Sequence, residues 1–196
     1  MKKPLNELIL ATDMEADGPY PGEYSMISIG LAVVGEHTKP GRTFYRELSP
    51  ISSRFVPEAL AVSGLDRNRL LREGTDPLEA MTDLAAWVKE LSDEGNRVVY
   101  LAGPAGYDGM WVNYYLQRFL GRNPFAPSGA CIDMRSYFMG AADVPWNRTG
   151  KSEIIKTIGL VDKPPHTHNA LDDAIELAVL FDAMRTWRRT HGPAKL

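Results

Sequence analysis

Two acidic side chains, Asp13 and Glu15, lie two residues apart directly after the apolar run 8–11. The run has the length and composition of a buried strand, and the dipeptide Gly18-Pro19 behind it is a turn signal. Because side chains at positions i and i+2 of a strand point to the same face, the two carboxylates are expected to lie side by side. At about 4 Å they repel each other by roughly 4 kcal/mol at an effective dielectric constant of about 20. A Mg²⁺ or Mn²⁺ ion between them would remove this repulsion, whereas a solvated strand end is the alternative interpretation.

A third acid, Asp108, is expected at the same place. It follows the apolar run 97–102, a predicted strand, and lies at the start of a predicted helix, 107–120. If this strand runs parallel to the first one, both strands end at the same edge of the sheet and their acids meet in one cleft. The alternative is that Asp108 only compensates the positive N-terminal end of its helix.

The segment 166–173 contributes a fourth acid together with a histidine. Asn169 is expected to cap the predicted final helix, 169–187, with Asp172 as its partner in a capping box. Asp173 is then free to point towards the other acids. His168 lies in the turn before the helix, where a histidine that titrates near neutrality suits a general base acting on water. A merely solvated loop histidine is the alternative.

The elements that must position these residues follow a mixed α/β pattern. Three neighbouring strands with short connections, at 8–11, 24–34 and 43–48, predict an antiparallel meander. Helices and strands then alternate, with predicted strands at 97–102 and 130–132 and predicted helices opening at 57 and spanning 77–91, 107–120, 152–158 and 169–187. This order predicts a mixed sheet covered by helices, within a single domain spanning 1–196.

Composition excludes several classes of protein. The formal net charge of −3 argues against a broad, non-specific grip on duplex nucleic acid, although not against a substrate held locally. Cys131 is the only cysteine, so neither an internal disulfide nor a thiolate zinc cluster can form. No apolar run has the length of a membrane span, and the polar start of the chain does not resemble a secretory signal. A cytoplasmic protein without membrane contact is expected.

Three motifs, taken in order, resemble the DEDDh family of 3′–5′ exonucleases, within the ribonuclease H-like superfamily. They are Asp13-Met-Glu15-Ala-Asp-Gly18, Tyr107-Asp108-Gly-Met-Trp111 and His168-Asn-Ala-Leu-Asp-Asp173-Ala. The resemblance covers nearly the whole chain and implies a ribonuclease H-like mixed five-stranded sheet flanked by helices. It also implies that Asp13, Glu15, Asp108 and Asp173 bind two divalent metal ions, Mg²⁺ or Mn²⁺, and that His168 is the base that activates water.

The same resemblance implies a single-stranded nucleic acid substrate, RNA or DNA, which is shortened from its 3′ end to nucleoside 5′-monophosphates. Four residues are expected to contact this substrate: Met14 through its backbone, Gly18, Tyr107, and Trp111 by stacking on an unpaired base. Core packing of the Trp111 ring is the alternative, because aromatic side chains at helical spacing commonly pack together.

Two positions depart from the family pattern, since Pro104 stands where asparagine is frequent and Ser63 where histidine is frequent. Both bear on substrate preference, and RNA is favoured over DNA because a compact domain without an appended nucleic-acid module suits trimming of short strands. A homodimer is expected. The alternatives are a catalytically silent nucleic-acid-binding or scaffold domain, a proofreading subunit that docks to a polymerase, and a phosphodiesterase limited to dinucleotides or small nucleotides.

The remaining polar residues near the motifs are interpreted as structural. Asp17, Asp133 and Asp172 are spare acids without an expected part in the chemistry. Lys151 and Lys156 are expected on a solvated helix face, with phosphate contact as the alternative.

Overall fold

A five-stranded mixed sheet forms the centre of the computed structural model, which describes residues 6–36, 41–125, 129 and 131–191. The strands are β1 (Asn6–Ala16), β2 (Met26–Val33), β3 (Thr43–Glu47), β4 (Asn96–Ala102) and β5 (Cys131–Asp133). Their order across the sheet is β3-β2-β1-β4-β5. The first three strands pair antiparallel, and β4 and β5 continue the sheet parallel to β1. The predicted meander and the mixed α/β class are therefore confirmed.

Seven α-helices cover the two faces of this sheet in the described part of the chain. They are α1 (Pro57–Ser63), α2 (Arg67–Glu73), α3 (Pro77–Asp93), α4 (Ala105–Leu120), α5 (Met134–Ala142), α6 (Lys151–Ile158) and α7 (Ala170–His191). None of these helices has both the length and the apolar character that crossing a membrane requires.

The core has two halves because β1 lies between two helical layers. Leu10 and Met14 belong to the half that contains Trp111 of α4, whereas Ala11 belongs to the half built on α7. This alternation along β1 is the period of two that a strand buried on both faces imposes. Asp13 and Glu15 continue the series of Ala11, so they point to the face on which α7 packs.

The observed elements differ from the sequence-based predictions in three places. β1 continues to Ala16, so Asp13 and Glu15 lie within the strand and not behind it. Helix α2 has no counterpart in the prediction, since it is polar, buries Leu70 alone, and is defined by the Asp66 side chain that caps its first backbone N–H groups. The fifth strand begins at Cys131, and the predicted first residue of that strand, Ala130, lies outside the described residues.

Gly30 of β2 allows α7 to approach the sheet closely. Gly30 is paired with Asp13 across the β1–β2 ladder. A Cβ atom on Gly30 would lie 2.2 Å from the carbonyl oxygen of Ala170 and 2.4 Å from its carbonyl carbon, at the first residue of α7. A side chain of any size is excluded there. The absent side chain thus sets the distance between the start of α7 and the strand position opposite Asp13.

We expect Gly30→Ala to destabilise the protein by about 1–3 kcal/mol, the usual cost of forcing extra carbon into a packed core. The added methyl group must displace the first turn of α7, and with it Asp173. The free energy of unfolding in urea measures the first effect. The control is Gly140→Ala in α5, where an added Cβ meets no atom within 4 Å. Equal stability of the two variants would contradict this prediction.

Candidate active site

The end of β1 carries two carboxylates side by side. β1 pairs with β4 only as far as Ala11 opposite Leu101, so Asp13 and Glu15 lie on the part of the strand that extends beyond that pairing. Both side chains are partly buried and face α7. A register shift in the β1–β2 ladder follows immediately, between Glu15 and Ala16. Such irregularities often aim side chains at the edge of a sheet.

The first turn of α7 brings a third carboxylate against these two. Asn169 caps the helix as predicted, because its Oδ1 accepts hydrogen bonds from the backbone N–H groups of Leu171 and Asp172, at 3.0 and 3.3 Å. Asp172 does not complete a capping box and accepts a bond from the Thr167 hydroxyl at 3.0 Å instead. Asp173 is buried, and its carboxylate offers an oxygen that lies within 4.8 Å of oxygens from both Asp13 and Glu15.

Asp108 reaches the same region from another helix, α4. It is buried in the first turn of α4, and the start of that helix is tied to β5 because the N–H of Ala105 donates to Oδ2 of Asp133 at 2.8 Å. Asp108 is close enough to raise the pKa of both Asp13 and Glu15 by charge repulsion. The structure therefore places all four predicted acids in one cleft, three of them in closest contact.

The proximity of these acids makes their ionisation unfavourable. Burial, followed by repulsion from Asp108, Glu15 and Asp173, raises the pKa of Asp13 well above its ordinary value. Burial raises the pKa of Glu15 to about 7, with further contributions from Asp173 and Asp108. Burial also raises the pKa of Asp108 to about 7. Carboxylates held in this way gain most from a bound cation, so the donor set fits hard divalent ions that take oxygen ligands.

His168 lies at the mouth of the cleft, on the segment that precedes α7. Its ring is exposed, and its backbone N–H donates to Oδ2 of Asp173 at 3.0 Å while the N–H of Thr167 donates to Oδ1 at 2.9 Å. The backbone of His168 has a φ angle of +57°, in the left-handed region that few non-glycine residues adopt. Asp173 therefore fixes the backbone that carries His168, as well as belonging to the acid cluster.

Four charged or titratable side chains next to the acid cluster form hydrogen bonds and ion pairs that the sequence did not predict. Glu176, one turn beyond Asp173 on α7, is fully buried and accepts hydrogen bonds from Lys151 and Lys163, both at 2.6 Å. Although burial opposes ionisation, the bonds from the two lysines hold the pKa of Glu176 below its ordinary value. Nδ1 of His166 lies 2.9 Å from Oδ1 of Asp173. Lys151 is 37% exposed, as expected for a solvated helix face, but its ammonium group is also bound to the buried Glu176.

The four residues expected to contact substrate differ in how accessible their side chains are. Tyr107 is 39% exposed and close to Glu15 and Asp108, so it lies at the rim of the cleft. Its hydroxyl donates to the carbonyl oxygen of Gly18 at 3.3 Å, and Gly18 itself is buried. Met14 packs its side chain in the core, which leaves its backbone for contact. Trp111 is fully buried and packs against Tyr107 and Tyr115. The expected stacking of Trp111 on a base does not fit this structure, since the ring has no exposed face.

The spare acids have the structural positions that the sequence indicated. Asp17 is fully buried, accepts a hydrogen bond from the N–H of Ser25 at 2.6 Å and pairs with Arg67 at 3.0 Å. Asp133 caps α5 through the N–H of Ser136 and holds the start of α4.

Comparison with known proteins places this chain among nucleases. The chain is 38% identical over 178 residues to the 3′–5′ DNA exonuclease Cap18 of Escherichia coli, covering 89% of this chain and 90% of that protein. It is 29% identical over 158 residues to ribonuclease T of Escherichia coli (strain K12), covering 78% and 71%. The nuclease domain of 3′hExo, a DEDDh family member solved with rAMP, superposes with a TM-score of 0.72 at 20% identity, over 94% of this chain and 93% of that one. No family model matches the chain.

We expect the metal-free protein to lose stability as the pH rises from about 5 to about 8. The carboxyl groups of Asp13, Glu15 and Asp108 have folded-state pKa values above their unfolded ones. Their protonated forms therefore favour folding at acid pH, and this contribution disappears as the pH rises through about 7. A thermal unfolding series without divalent ions should show Tm falling by several degrees over this range.

Mg²⁺ or Mn²⁺ should reverse that loss at pH 8. A concentration about 100 times the Kd stabilises by roughly 2.7 kcal/mol, which for a chain of this size raises Tm by roughly 5–10 °C. Asp13→Asn should raise Tm in the absence of metal and abolish most of the metal-induced increase. The control is Glu90→Gln on the exposed face of α3, which should behave as the wild type does. A Tm of Asp13→Asn that still rises fully with metal would contradict the assigned ligand set.

We expect Glu176→Gln to lower the free energy of unfolding by about 2 kcal/mol at pH 8, since a buried carboxylate bonded to two ammonium groups is replaced by a neutral amide. Turnover should fall too, because Lys163 belongs to the segment that carries His168. Urea denaturation measures the first effect. The matched control is Asp93→Asn, whose partner Lys89 is as exposed as Asp93 itself, so its loss should stay under about 0.5 kcal/mol. Similar losses in both variants would show that Glu176 does not anchor the segment.

Proposed function

Because the chain belongs to the DEDDh family of 3′–5′ exonucleases, we propose that it removes nucleotides from the 3′ end of single-stranded DNA and releases nucleoside 5′-monophosphates. The observation that carries this proposal is the convergence of the carboxylate oxygens of Asp13, Glu15 and Asp173 within 4.8 Å, with Asp108 beside them. A cluster of this kind destabilises the fold unless it binds cations, so its presence favours a catalytic protein over the silent scaffold considered from the sequence.

The preference for DNA rests on the relatives and departs from the sequence-based expectation of RNA. Identity to the DNA exonuclease Cap18 is 38% over most of both chains, against 29% to ribonuclease T over a shorter alignment. RNA is therefore the second candidate, and a direct comparison of the two substrates decides between them.

The four acids would hold two divalent cations, Mg²⁺ or Mn²⁺, which when bound stabilise the attacking and leaving oxygens of an in-line displacement at phosphorus. The side chains of the protein would carry out the proton transfer. His168, exposed on its segment at the mouth of the cleft, accepts the proton of the attacking water. Asp173 holds the backbone of that residue through two N–H groups, so the base and the acid cluster keep a fixed relation.

The terminal nucleotide would lie between the acid cluster and Tyr107 at the rim of the cleft. The Tyr107 ring is partly exposed and lies near enough to Glu15 and Asp108 for their charges to raise its pKa, after burial as the main cause. An aromatic face in this position suits stacking on an unpaired base, a contact worth roughly 1–3 kcal/mol. The backbone of Met14, beyond the part of β1 that β4 covers, lies beside the same space.

We also propose, from the sequence, that the protein forms a homodimer, is cytoplasmic and consists of a single domain across residues 1–196. These proposals are compatible with the observed fold. The phosphodiesterase limited to dinucleotides differs from the leading proposal only in substrate length, so it is one outcome of the assay below.

The decisive test is degradation of 5′-labelled DNA and RNA oligonucleotides of one sequence, single- and double-stranded, beside a dinucleotide. With millimolar Mg²⁺ or Mn²⁺ we expect a ladder shortened from the 3′ end, with single-stranded DNA cleaved at least tenfold faster than RNA. His168→Gln should reduce the rate by roughly 10²–10⁴-fold, the usual contribution of general base catalysis, and Asp13→Asn should reduce it at least as much. Glu90→Gln should retain the wild-type rate.

Each other result reassigns the function. A faster RNA ladder would replace DNA by RNA as substrate, and cleavage of the dinucleotide alone would indicate the small-nucleotide phosphodiesterase. Absence of any cleavage by a folded protein that binds Mn²⁺ would refute the exonuclease proposal. A His168→Gln rate equal to that of the wild type would remove His168 from the role of base.

A further inference from the structure

We propose that His166, His168 and Asp173 form a second metal site, selective for a borderline transition-metal ion such as Zn²⁺, that switches the nuclease off when it is filled. Each residue offers one ligand atom, and these atoms all lie within 4.8 Å of one another. Nδ1 of His166 is 2.9 Å from Oδ1 of Asp173. The two imidazole rings meet edge to face, with centroids 4.4 Å apart.

The donor set distinguishes this site from the acid cluster. Two imidazole nitrogens and one carboxylate oxygen are ligands that zinc takes at about 2.0–2.2 Å, with a fourth position left for water. Ligand atoms around such an ion are roughly 3.3 Å apart, given these bond lengths and tetrahedral geometry. Both histidine rings are exposed, so small rotations bring the three atoms to that spacing. Mg²⁺ prefers oxygen ligands in octahedral geometry and gains little from imidazole.

The surroundings of His166 include groups of both charges. Oε2 of Glu176 lies 3.4 Å from Nδ1 of His166, so a second carboxylate lies beside the site. Nζ of Lys151 lies 3.5 Å from the same Nδ1 atom and opposes a cation, but it is bound to Glu176 at 2.6 Å. Lys163 is bound to the other oxygen of Glu176, also at 2.6 Å.

The balance of charge over the whole cleft favours a cation. The charges of Asp173 and Glu176 offset those of Lys151 and Lys163, and Asp13 and Glu15 each place a carboxyl oxygen within 4.8 Å of the Asp173 carboxylate.

Binding of an ion at this site would stop catalysis because two of its three ligands also take part in the proposed reaction. Asp173 belongs to the acid cluster as well, and the His168 imidazole is the proposed base. An ion held between them occupies the lone pair that accepts the proton of water and withdraws a carboxylate from the other acids. Inhibition therefore rests on the proposed function, whereas the binding of Zn²⁺ to these three residues does not.

Calorimetric titration of the untagged, metal-free protein with Zn²⁺ at pH 7.5 tests the binding. We expect one site in the wild type, and affinity at least tenfold weaker in both His166→Gln and His168→Gln. Asp13→Asn should bind Zn²⁺ within about threefold of the wild type, because Asp13 is a ligand only in the acid cluster. His191→Gln, at the far end of α7, is the control and should bind as the wild type does. Retained affinity in both His166→Gln and His168→Gln, or loss in Asp13→Asn, would place the ion in the acid cluster and overturn the proposal.

Inhibition is measured on Mg²⁺-supported cleavage of DNA, with each variant compared with its own rate without Zn²⁺. We expect micromolar Zn²⁺ to lower the wild-type rate at least tenfold, and the inhibitory concentration to rise at least tenfold in His166→Gln. An unchanged rate in a protein that calorimetry shows to be loaded would overturn the inhibitory role. If no variant cleaves nucleic acid with Mg²⁺ alone, the proposed function fails, while the calorimetry still decides whether the histidine site exists.

Discussion

The repulsion between carboxylates that the fold forces together is the constraint on which the rest of the structure depends. Asp13 and Glu15 share a face because they are two residues apart in β1, and α7 adds Asp173 to the same face. Burial and repulsion from neighbouring acids raise the pKa values of Asp13 and Glu15, so the metal-free protein holds a cluster that opposes its own folding at neutral pH. Such an arrangement persists only when surrounding packing supplies enough stability, and the two halves of the core on either side of β1 provide it.

Helix α7 carries two buried acids whose surroundings differ in charge. Glu176 is buried with an ammonium group at each oxygen, and its pKa is held below the ordinary value. Asp173, one turn earlier, accepts two backbone N–H groups and faces other acids. The first acid fixes the segment before α7 in place, and the second presents a charge to the cleft. Helix α7 therefore combines an anchoring role with a ligand role at a spacing of three residues.

Close packing and hydrogen bonds outside the acid cluster set the distances in the cleft. The absence of a side chain at Gly30 lets the first residue of α7 lie against β2 opposite Asp13. The bond from Ala105 to Asp133 fixes the start of α4 and, with it, Asp108. The acids themselves cannot set these distances, because they repel one another. Packing contacts and helix caps outside the cluster must therefore hold the acids in position.

The strand alternation, the order of the strands and the four acids could be predicted from the sequence, because each depends on local periodicity or on a short motif. The sequence also indicated that Asp17 and Asp133 are structural. Tertiary packing alone buries Trp111, brings Lys151 and Lys163 to Glu176, and joins His166 to His168 and Asp173. Trp111 is buried in the half of the core that contains α4, whereas the other contacts join α7 to α6 and to the segment before α7, and no periodicity in the chain encodes them. Helix α2 was missed for a related reason, since a polar helix that buries one leucine carries almost no hydrophobic pattern.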